Sequence, residues 1–405
     1  MSHALDDCFL HDRDRLRHRD ALALLREGIV PLRLGTDVVP VADALGRILA
    51  EPMVAPFDMP SHTNAAVDGY AYRHGDGPVI PVVGRIAAGQ PAPALAAGSA
   101  ARIFTGATVP AGADTVAMQE DCAVANGRVR LPPIKRGANV RLRGEDVAAG
   151  QTVLAPGRRL TPADLATAGG FGLRTLAVRR TVRVALFSTG DELRTSGRLD
   201  EGAVFDANRP LLAAWMATMP VAVHDGGILP DDRAAVAAAL RTAAAEADVI
   251  LTTGGASRGE EDHMLSVLDE LGTRQAWQIA VKPGRPLMFG RIADAAYLGL
   301  PGNPVAACVC FLLYARPLLL ALAGAEWSDP LPMTLPAAFS ITSKPDRREF
   351  LRGILRDGAI DKFARDGSGL LSSLREADGL IEVPEDVTRI ERGDPVSFLP
   401  WSSFL

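Results

Sequence analysis

Ser188-Thr189-Gly190-Asp191-Glu192-Leu193 closes the apolar run 181–187, and Gly254-Gly255-Ala256-Ser257-Arg258-Gly259 closes a second run, 248–253. Further on come Lys282-Pro283-Gly284-Arg285-Pro286 and Pro301-Gly302-Asn303-Pro304. Each segment follows an apolar run or precedes a helical one. In an open parallel sheet the carboxyl ends of the strands share one edge, and ligands bind along it. Four loops carrying glycines, carboxylates and cations on that edge predict a site for an anionic ligand together with a metal.

The surrounding pattern supports such a sheet. Apolar runs at 182–187, 221–229, 248–253 and 295–300 alternate with helical patterns at 209–219, 231–246, 262–271 and from Pro304. That alternation predicts a doubly wound parallel sheet of the α/β class. From Glu51 to Arg143 prolines and glycines recur every few residues between short apolar runs, which predicts an all-β module with tight turns. Residues 161–170 predict a helix with Thr161 as cap and Pro162 at its first position. Residues 18–50 predict short helices, one through Ala21 to Leu25 and one through Val41 to Ile48. After Trp327 short strands and turns return, the pattern of a small β domain.

Composition narrows the function. The formal charge of −5 excludes a general nucleic-acid binder, which needs a basic face. Of 43 basic residues only four are lysines, so Lys282 inside a glycine-proline turn stands out. Cys8, Cys122, Cys308 and Cys310 form no CxxC pair and predict free thiols in a reducing compartment. The first twenty residues lack a secretory apolar core, and residues 1–17 are expected to be a frayed, solvated extension. The apolar stretch 304–324 is interrupted by Arg316-Pro317 and predicts a buried helix, not a membrane span. The expectation is a soluble cytoplasmic protein that binds neither membrane nor nucleic acid.

Gly255-Ala256-Ser257-Arg258-Gly259 matches G-x-S-x-G between a strand and a helix, the setting of a hydrolase nucleophile elbow. That chemistry needs a histidine late in the chain, and none follows His263. A glycine turn whose amides and Ser257 hydroxyl meet a phosphate-like group suits the segment better; a ligand-free packing turn is the plain alternative. Neither a Walker sequence nor a full dinucleotide fingerprint occurs. Asp191, Glu192, Asp231, Asp232 and Asp262 gather at loop positions, where they serve either as Mg²⁺ ligands or as helix caps. Lys282 and Arg285, stiffened by prolines, suit oxyanion capture. Asn303 and Pro304 alone read as a helix start. In the amino-terminal half, Asp68-Gly69 and Thr105-Gly106 read as turns.

Taken together and in order, these segments resemble the molybdopterin molybdenumtransferase family, the MoeA type, also seen as the E domain of gephyrin. The resemblance adds Val67-Asp68-Gly69-Tyr70-Ala71, Ala87-Ala88-Gly89-Gln90, Arg102-Ile103-Phe104-Thr105-Gly106-Ala107, Gly112-Ala113-Asp114-Thr115-Val116, Gly144-Glu145-Asp146, Asp206-Ala207-Asn208-Arg209 and Arg348-Glu349-Phe350-Leu351-Arg352. It implies a helical domain (18–51 and 145–174) with an inserted β-rich domain (52–144), a molybdopterin-binding α/β domain (175–325) and a C-terminal β-barrel-like domain (326–405). It implies homodimers with an active site shared between subunits. The reaction implied takes adenylylated molybdopterin and molybdate, with Mg²⁺, and releases AMP and molybdenum cofactor. Carried over by position, Asp68, Thr105 and Glu145 come from the β-rich side. Glu192, Asp232 and Asp262 hold Mg²⁺ or position the nucleotide phosphate. Gly254, Gly255, Ser257, Lys282, Arg285, Pro301, Asn303 and Pro304 form the cofactor pocket.

The sequence departs from the family at Ala65, Val67, Ala256, Arg258 and Arg285, where serine, methionine, valine, valine and lysine are common. A MogA-type adenylyltransferase shares the α/β domain but lacks the β-rich module, and a non-catalytic carrier or scaffold would keep the fold alone. Tungstate resembles molybdate too closely for sequence to separate them. A MogA-type adenylyltransferase and apo-molybdoenzymes are the partners implied.

Overall fold

The computed structural model describes residues 15–28, 34–255 and 263–405. The chain forms two compact units, one built from the residues up to Ala50 with Gly157–Pro162 and Thr175–Leu405, the other from Glu51–Pro156 with Ala163–Arg174.

The first unit centres on a six-stranded sheet of β1 (Val182–Thr189), β2 (Val221–Leu229), β3 (Val249–Thr253), β4 (Gly272–Gln278), β5 (Pro286–Ile292) and β6 (Ala295–Leu300). Side by side the order is β2-β1-β3-β6-β5-β4. Its helices include α1 (Asn208–Met216), α2 (Arg233–Glu246), α3 (Met264–Leu271) and α4 (Pro304–Cys310). Period-two alternation along β1 sends Val182, Val184 and Leu186 into one core with Leu212 and Met216 of α1 and Val305 and Val309 of α4. Ala185 and Phe187 enter the other core, with Val236 and Leu240 of α2 and Met264 and Val267 of α3. Both faces are therefore covered, as a parallel sheet requires.

The sheet is mixed, not wholly parallel. The pairs β1–β2, β1–β3 and β3–β6 are parallel, but β5–β6 and β4–β5 are antiparallel. Only Ala293 and Asp294 join β5 to β6, with Ala293 at φ 50°. Two residues make a hairpin and cannot make a crossover.

Two other expectations change. The second short helix is a single 3-10 turn, Val41–Asp43, because the residues before it form the strand Thr36–Pro40, paired with Thr175–Arg179. Residues 15–17 are not all frayed. Leu16 bridges Ile279, and Arg15 is buried with its Nε donating to Gln278 Oε1 at 2.7 Å. Residues 1–14, Cys8 among them, lie outside the described residues. Pro304–Leu322 is apolar and long enough to cross a bilayer, but 94% of that window is buried inside the protein. A π-helical turn, Phe311–Ala315, precedes Pro317, which has no amide hydrogen to donate. Cys308 and Cys310 are buried free thiols within that core.

The C-terminal residues add a second sheet, with Arg348–Arg356 beside Gly379–Val383, then Pro395–Pro400 and Met333–Pro336. Val281–Lys282 joins it in parallel, with Val281 opposite Arg348 and Lys282 opposite Glu349. This pairing carries the Lys282–Pro286 loop onto the C-terminal domain. The second unit holds its own six-stranded sheet, ordered Thr115–Met118, Gly69–Tyr72, Ala100–Ile103, Val79–Ile86, Arg128–Arg130 and Ala123–Ala125.

Candidate active site

The register places the four carboxyl ends of the parallel strands in adjacent rows. Thr189 lies opposite Leu229, Ser188 opposite Thr253, and Thr253 opposite Leu300. A cleft of about 1120 Å³ opens above them. That exceeds the ~300–1,000 Å³ of ordinary small-ligand sites and leaves room for a large substrate. Gly254 (φ 90°) and Gly255 (φ 63°) form the turn after β3. A Cβ on Gly254 would stand 2.7 Å from the Thr189 carbonyl oxygen, and one on Gly255 would stand 2.5 Å from Met264 Cγ. Only glycine fits this close, left-handed path.

Asp206 anchors one wall. Its Oδ2 accepts from Ser188 Oγ at 2.7 Å and Arg209 Nε at 3.1 Å, and its Oδ1 accepts from the amides of Asn208 and Arg209 at 3.1 Å each. Next to it, Asn208 Nδ2 donates to Thr253 Oγ1 (2.8 Å) and to the Gly302 carbonyl (2.6 Å). Thr253 Oγ1 donates to the Pro301 carbonyl at 2.9 Å. A carbonyl only accepts, so these bonds fix the amide orientation. Asn208 thereby staples the end of β3 to the Pro301–Pro304 loop. Its Oδ1 is buried and has no partner among the described residues.

Carboxylates form a rim. Asp191 and Asp231 exchange bonds, each amide donating to the other's carboxylate at 3.1 Å. Asp231 and Glu192 line the cleft. Asp232 does not; it caps α2, its Oδ1 accepting from Ala235 N at 2.7 Å. The capping role open to either aspartate thus falls to Asp232. Among the described residues no three acidic, histidine or cysteine side chains converge on one point.

Cations form the remaining wall. Lys282, Arg285, Arg347 and Arg352 line it, with Asp366 and Ser368. Glu349 lies beneath, its Oε2 accepting from Lys282 Nζ (3.2 Å) and its Oε1 from Arg347 (2.6 Å) and Ser343 Oγ (3.1 Å). Burial alone would raise the Glu349 pKa, but the bonds from Arg347 and Lys282 prevail and hold it below the ordinary glutamate value. Glu349 is therefore an anion under a net cationic surface. The Arg352 guanidinium, its pKa lowered by burial, donates to Ser373 Oγ at 3.2 Å and to the Gly367 carbonyl at 3.4 Å. The Ser368 carbonyl accepts from Val305 N at 2.9 Å, which docks the 366–369 turn on the start of α4.

The structure thus brings Glu192, Gly254, Gly255, Lys282, Arg285, Pro301, Asn303 and Pro304 to one cleft. Asn303 occupies the cap position of α4 but makes no side-chain capping bond. Ser257, Arg258 and Asp262 lie outside the described residues. Asp68, Thr105 and Glu145 belong to the second unit. There Asp68 Oδ1 accepts from both the amide and the hydroxyl of Thr105, at 2.8 Å each. The amide bond, then the hydroxyl bond, lowers the Asp68 pKa. Glu145 Oε2 accepts from Leu142 N at 2.6 Å.

Sequence reading assigned no role to Asp206, Asn208, Arg347, Arg352 or Ser368. An acid two residues before a helix start was a local signal for the first pair. For the others the signal is long-range, since Val281–Lys282 must first pair with Arg348–Glu349.

Family models cover most of the chain. The MoeA N-terminal region (domain I and II) matches residues 16–172, a probable molybdopterin binding domain 185–321, and the MoeA C-terminal region (domain IV) 334–401. A molybdopterin molybdenumtransferase from Haemophilus influenzae is 34% identical over 389 residues, spanning 93% of this chain and 96% of its own. Molybdopterin molybdenumtransferase 2 of Mycobacterium tuberculosis is 36% identical over 379 residues, 88% of this chain and 92% of its own. Among solved structures, the molybdopterin biosynthesis moeA protein from Pyrococcus horikoshii superposes with a TM-score of 0.83 at 29% identity, covering 95% of this chain and 99% of that one. Identity above 30% along nearly the full length, three consecutive family regions and a shared fold agree: the chain belongs to the molybdopterin molybdenumtransferase (MoeA) family.

Proposed function

We propose that this protein inserts molybdate into adenylylated molybdopterin and releases AMP. The observation that carries the reading is the cleft, where loops from four parallel strands meet the cations of the C-terminal sheet. Molybdate and the phosphates of the substrate are both anions. Lys282, Arg285, Arg347 and Arg352 supply fixed positive charge, and the Gly254–Gly255 turn brings backbone close to the ligand. As the two dithiolene thiols bond the metal, their protons leave with one molybdate oxygen as water. Water cleaves the phosphoanhydride, and the negative charge on the departing AMP phosphate is met by groups already held in place by Glu349, Ser373 and Gly367.

Mg²⁺ belongs to the same reading. The carboxylates of Glu192 and Asp231 are the hard oxygen donors it prefers, completed by phosphate oxygens and water. Among the described residues the protein donors do not by themselves close around a cation. The reading also includes a homodimer in which Asp68, Thr105 and Glu145 of a second copy complete the site.

The test follows AMP release and reconstitution of an apo-molybdoenzyme by purified protein given adenylylated molybdopterin, molybdate and Mg²⁺. Molybdate-dependent AMP release with recovery of apo-enzyme activity supports the transfer. Tight pterin binding with no AMP release contradicts it and leaves a carrier. For the shared site, inactive Asp68→Asn and inactive Lys282→Met proteins are mixed. Recovered activity supports sites built from two chains; no recovery argues for a site within one.

A further inference from the structure

We propose that Phe205 is the platform on which a planar, nitrogen-rich heterocycle of the substrate stacks, an inference that rests on the transfer reading above. Two phenylalanines line the cleft. Phe350 is 1% exposed and belongs to the core, whereas Phe205 is 46% exposed. Aromatic residues make up only 5% of this chain, and leaving such a ring half in water forgoes part of the ~2–3 kcal/mol that full burial brings. A scattered exposed phenylalanine needs no explanation, but this one is neither scattered nor loose.

The ring stands on a small strap in which Leu193–Arg194 pairs in parallel with Val204–Phe205. The Val204 amide donates to the Glu192 carbonyl at 2.8 Å, and the Asp206 amide to the Arg194 carbonyl at 2.9 Å. One residue later comes Asp206, whose carboxylate takes the four bonds described above and whose side chain is 2% exposed. Phe205 is thus held at the cleft by backbone on both sides. A ring presented in this way loses little conformational freedom when a ligand covers it.

The neighbouring chemistry narrows the ligand. Leu193 and Val204 also line the cleft, and Val204 is 49% exposed, so the strap offers an apolar strip. The Lys282–Arg285 loop and the C-terminal sheet instead offer cations. A ligand with anionic groups and a flat ring matches both. The adenylylated pterin carries two such rings, the pterin and the adenine, and both share the π-face that an aromatic side chain recognises.

The experiment measures equilibrium affinity for AMP and, separately, for anaerobically prepared molybdopterin, in wild type and in Phe205→Ala, Phe205→Leu and Phe205→Tyr. The expected result is a loss of roughly tenfold for one of the two ligands in the alanine and leucine proteins, the lower part of the range for aromatic stacking. Tyrosine keeps the affinity within about twofold, since it keeps the ring. The ligand that weakens identifies the stacked heterocycle. Phe205→Ala binding both ligands like wild type overturns the platform, as does Phe205→Leu restoring affinity, which would mark a plain apolar contact. Wild-type protein that binds neither ligand overturns the substrate assignment and the platform with it. Unchanged thermal midpoints in the variants confirm that folding is intact.

Discussion

In the cation wall, Lys282 and Arg347 close on one buried carboxylate, Glu349; on the acid rim, Asp191, Glu192 and Asp231 stay exposed and face no arginine or lysine closely enough to form an ion pair among the described residues. The wall's charges are paired and partly out of water, so they are structural as well as functional. The rim's charges are solvated, and those of Asp191 and Asp231 are held by each other's backbone amides, so they are available to a ligand at little cost to folding. The contrast predicts that substitutions in the wall show first in stability, and those on the rim first in turnover.

The strongest way to break this contrast is Glu349→Gln. It leaves Lys282 and Arg347 without their anion, and the expected loss is about 3 kcal/mol in urea unfolding. A loss under about 1 kcal/mol would mean that the wall is no more structural than an exposed ion pair.

A second effect of similar size depends on pH. His18 is buried, and its Nδ1 lies 2.7 Å from the Tyr314 hydroxyl. Burial first, then the nearby Arg348, lowers its pKa from 6.5 to about 4. The unfolded chain therefore binds a proton between those values that the folded chain does not. This contribution to stability is complete above pH 6.5 and is lost as pH falls toward 4, by about 3 kcal/mol in full. His18→Gln should flatten that slope in denaturant midpoints measured from pH 7 to 4.5; an unchanged slope would place the sensitivity elsewhere.

Smaller, and sharpening the comparison within one turn, is the pair Asp231 and Asp232. Asp232→Ala removes the cap of α2 and should cost about 1 kcal/mol, and Asp232→Asn should recover most of it. Smallest in stability is Asp231→Asn, which keeps an acceptor for the Asp191 amide. It should move unfolding by less than about 0.5 kcal/mol, while AMP release slows at least about tenfold, the rate equivalent of 1.36 kcal/mol. Equal effects of the two substitutions on stability would erase the distinction between rim and cap.

The legible and illegible parts of this molecule divide along sequence separation. The loops after β1, β3 and β6 were visible because apolar runs ending in glycine or proline turns are local signals, and the strand edge gathers them automatically. The antiparallel strands β4 and β5 were hidden because the Lys282–Arg285 segment between them drew the reading toward a turn. Arg347 and Arg352 were hidden because long-range contacts, the pairing of Lys282 with Glu349, 67 residues away, and the bond from Val305 to Ser368, bring the C-terminal sheet to the cleft. Local pattern also failed to separate Asp231 from Asp232, since both stand at the start of a helix and the backbone path alone decides which one caps it.

The central claim is that one cleft couples metal insertion to AMP departure. A single turnover with limiting adenylylated molybdopterin tests it most directly, counting AMP released against molybdenum bound to the pterin, with and without molybdate. The account predicts equal amounts of the two and little AMP when molybdate is withheld. AMP released at the same rate without molybdate would contradict it.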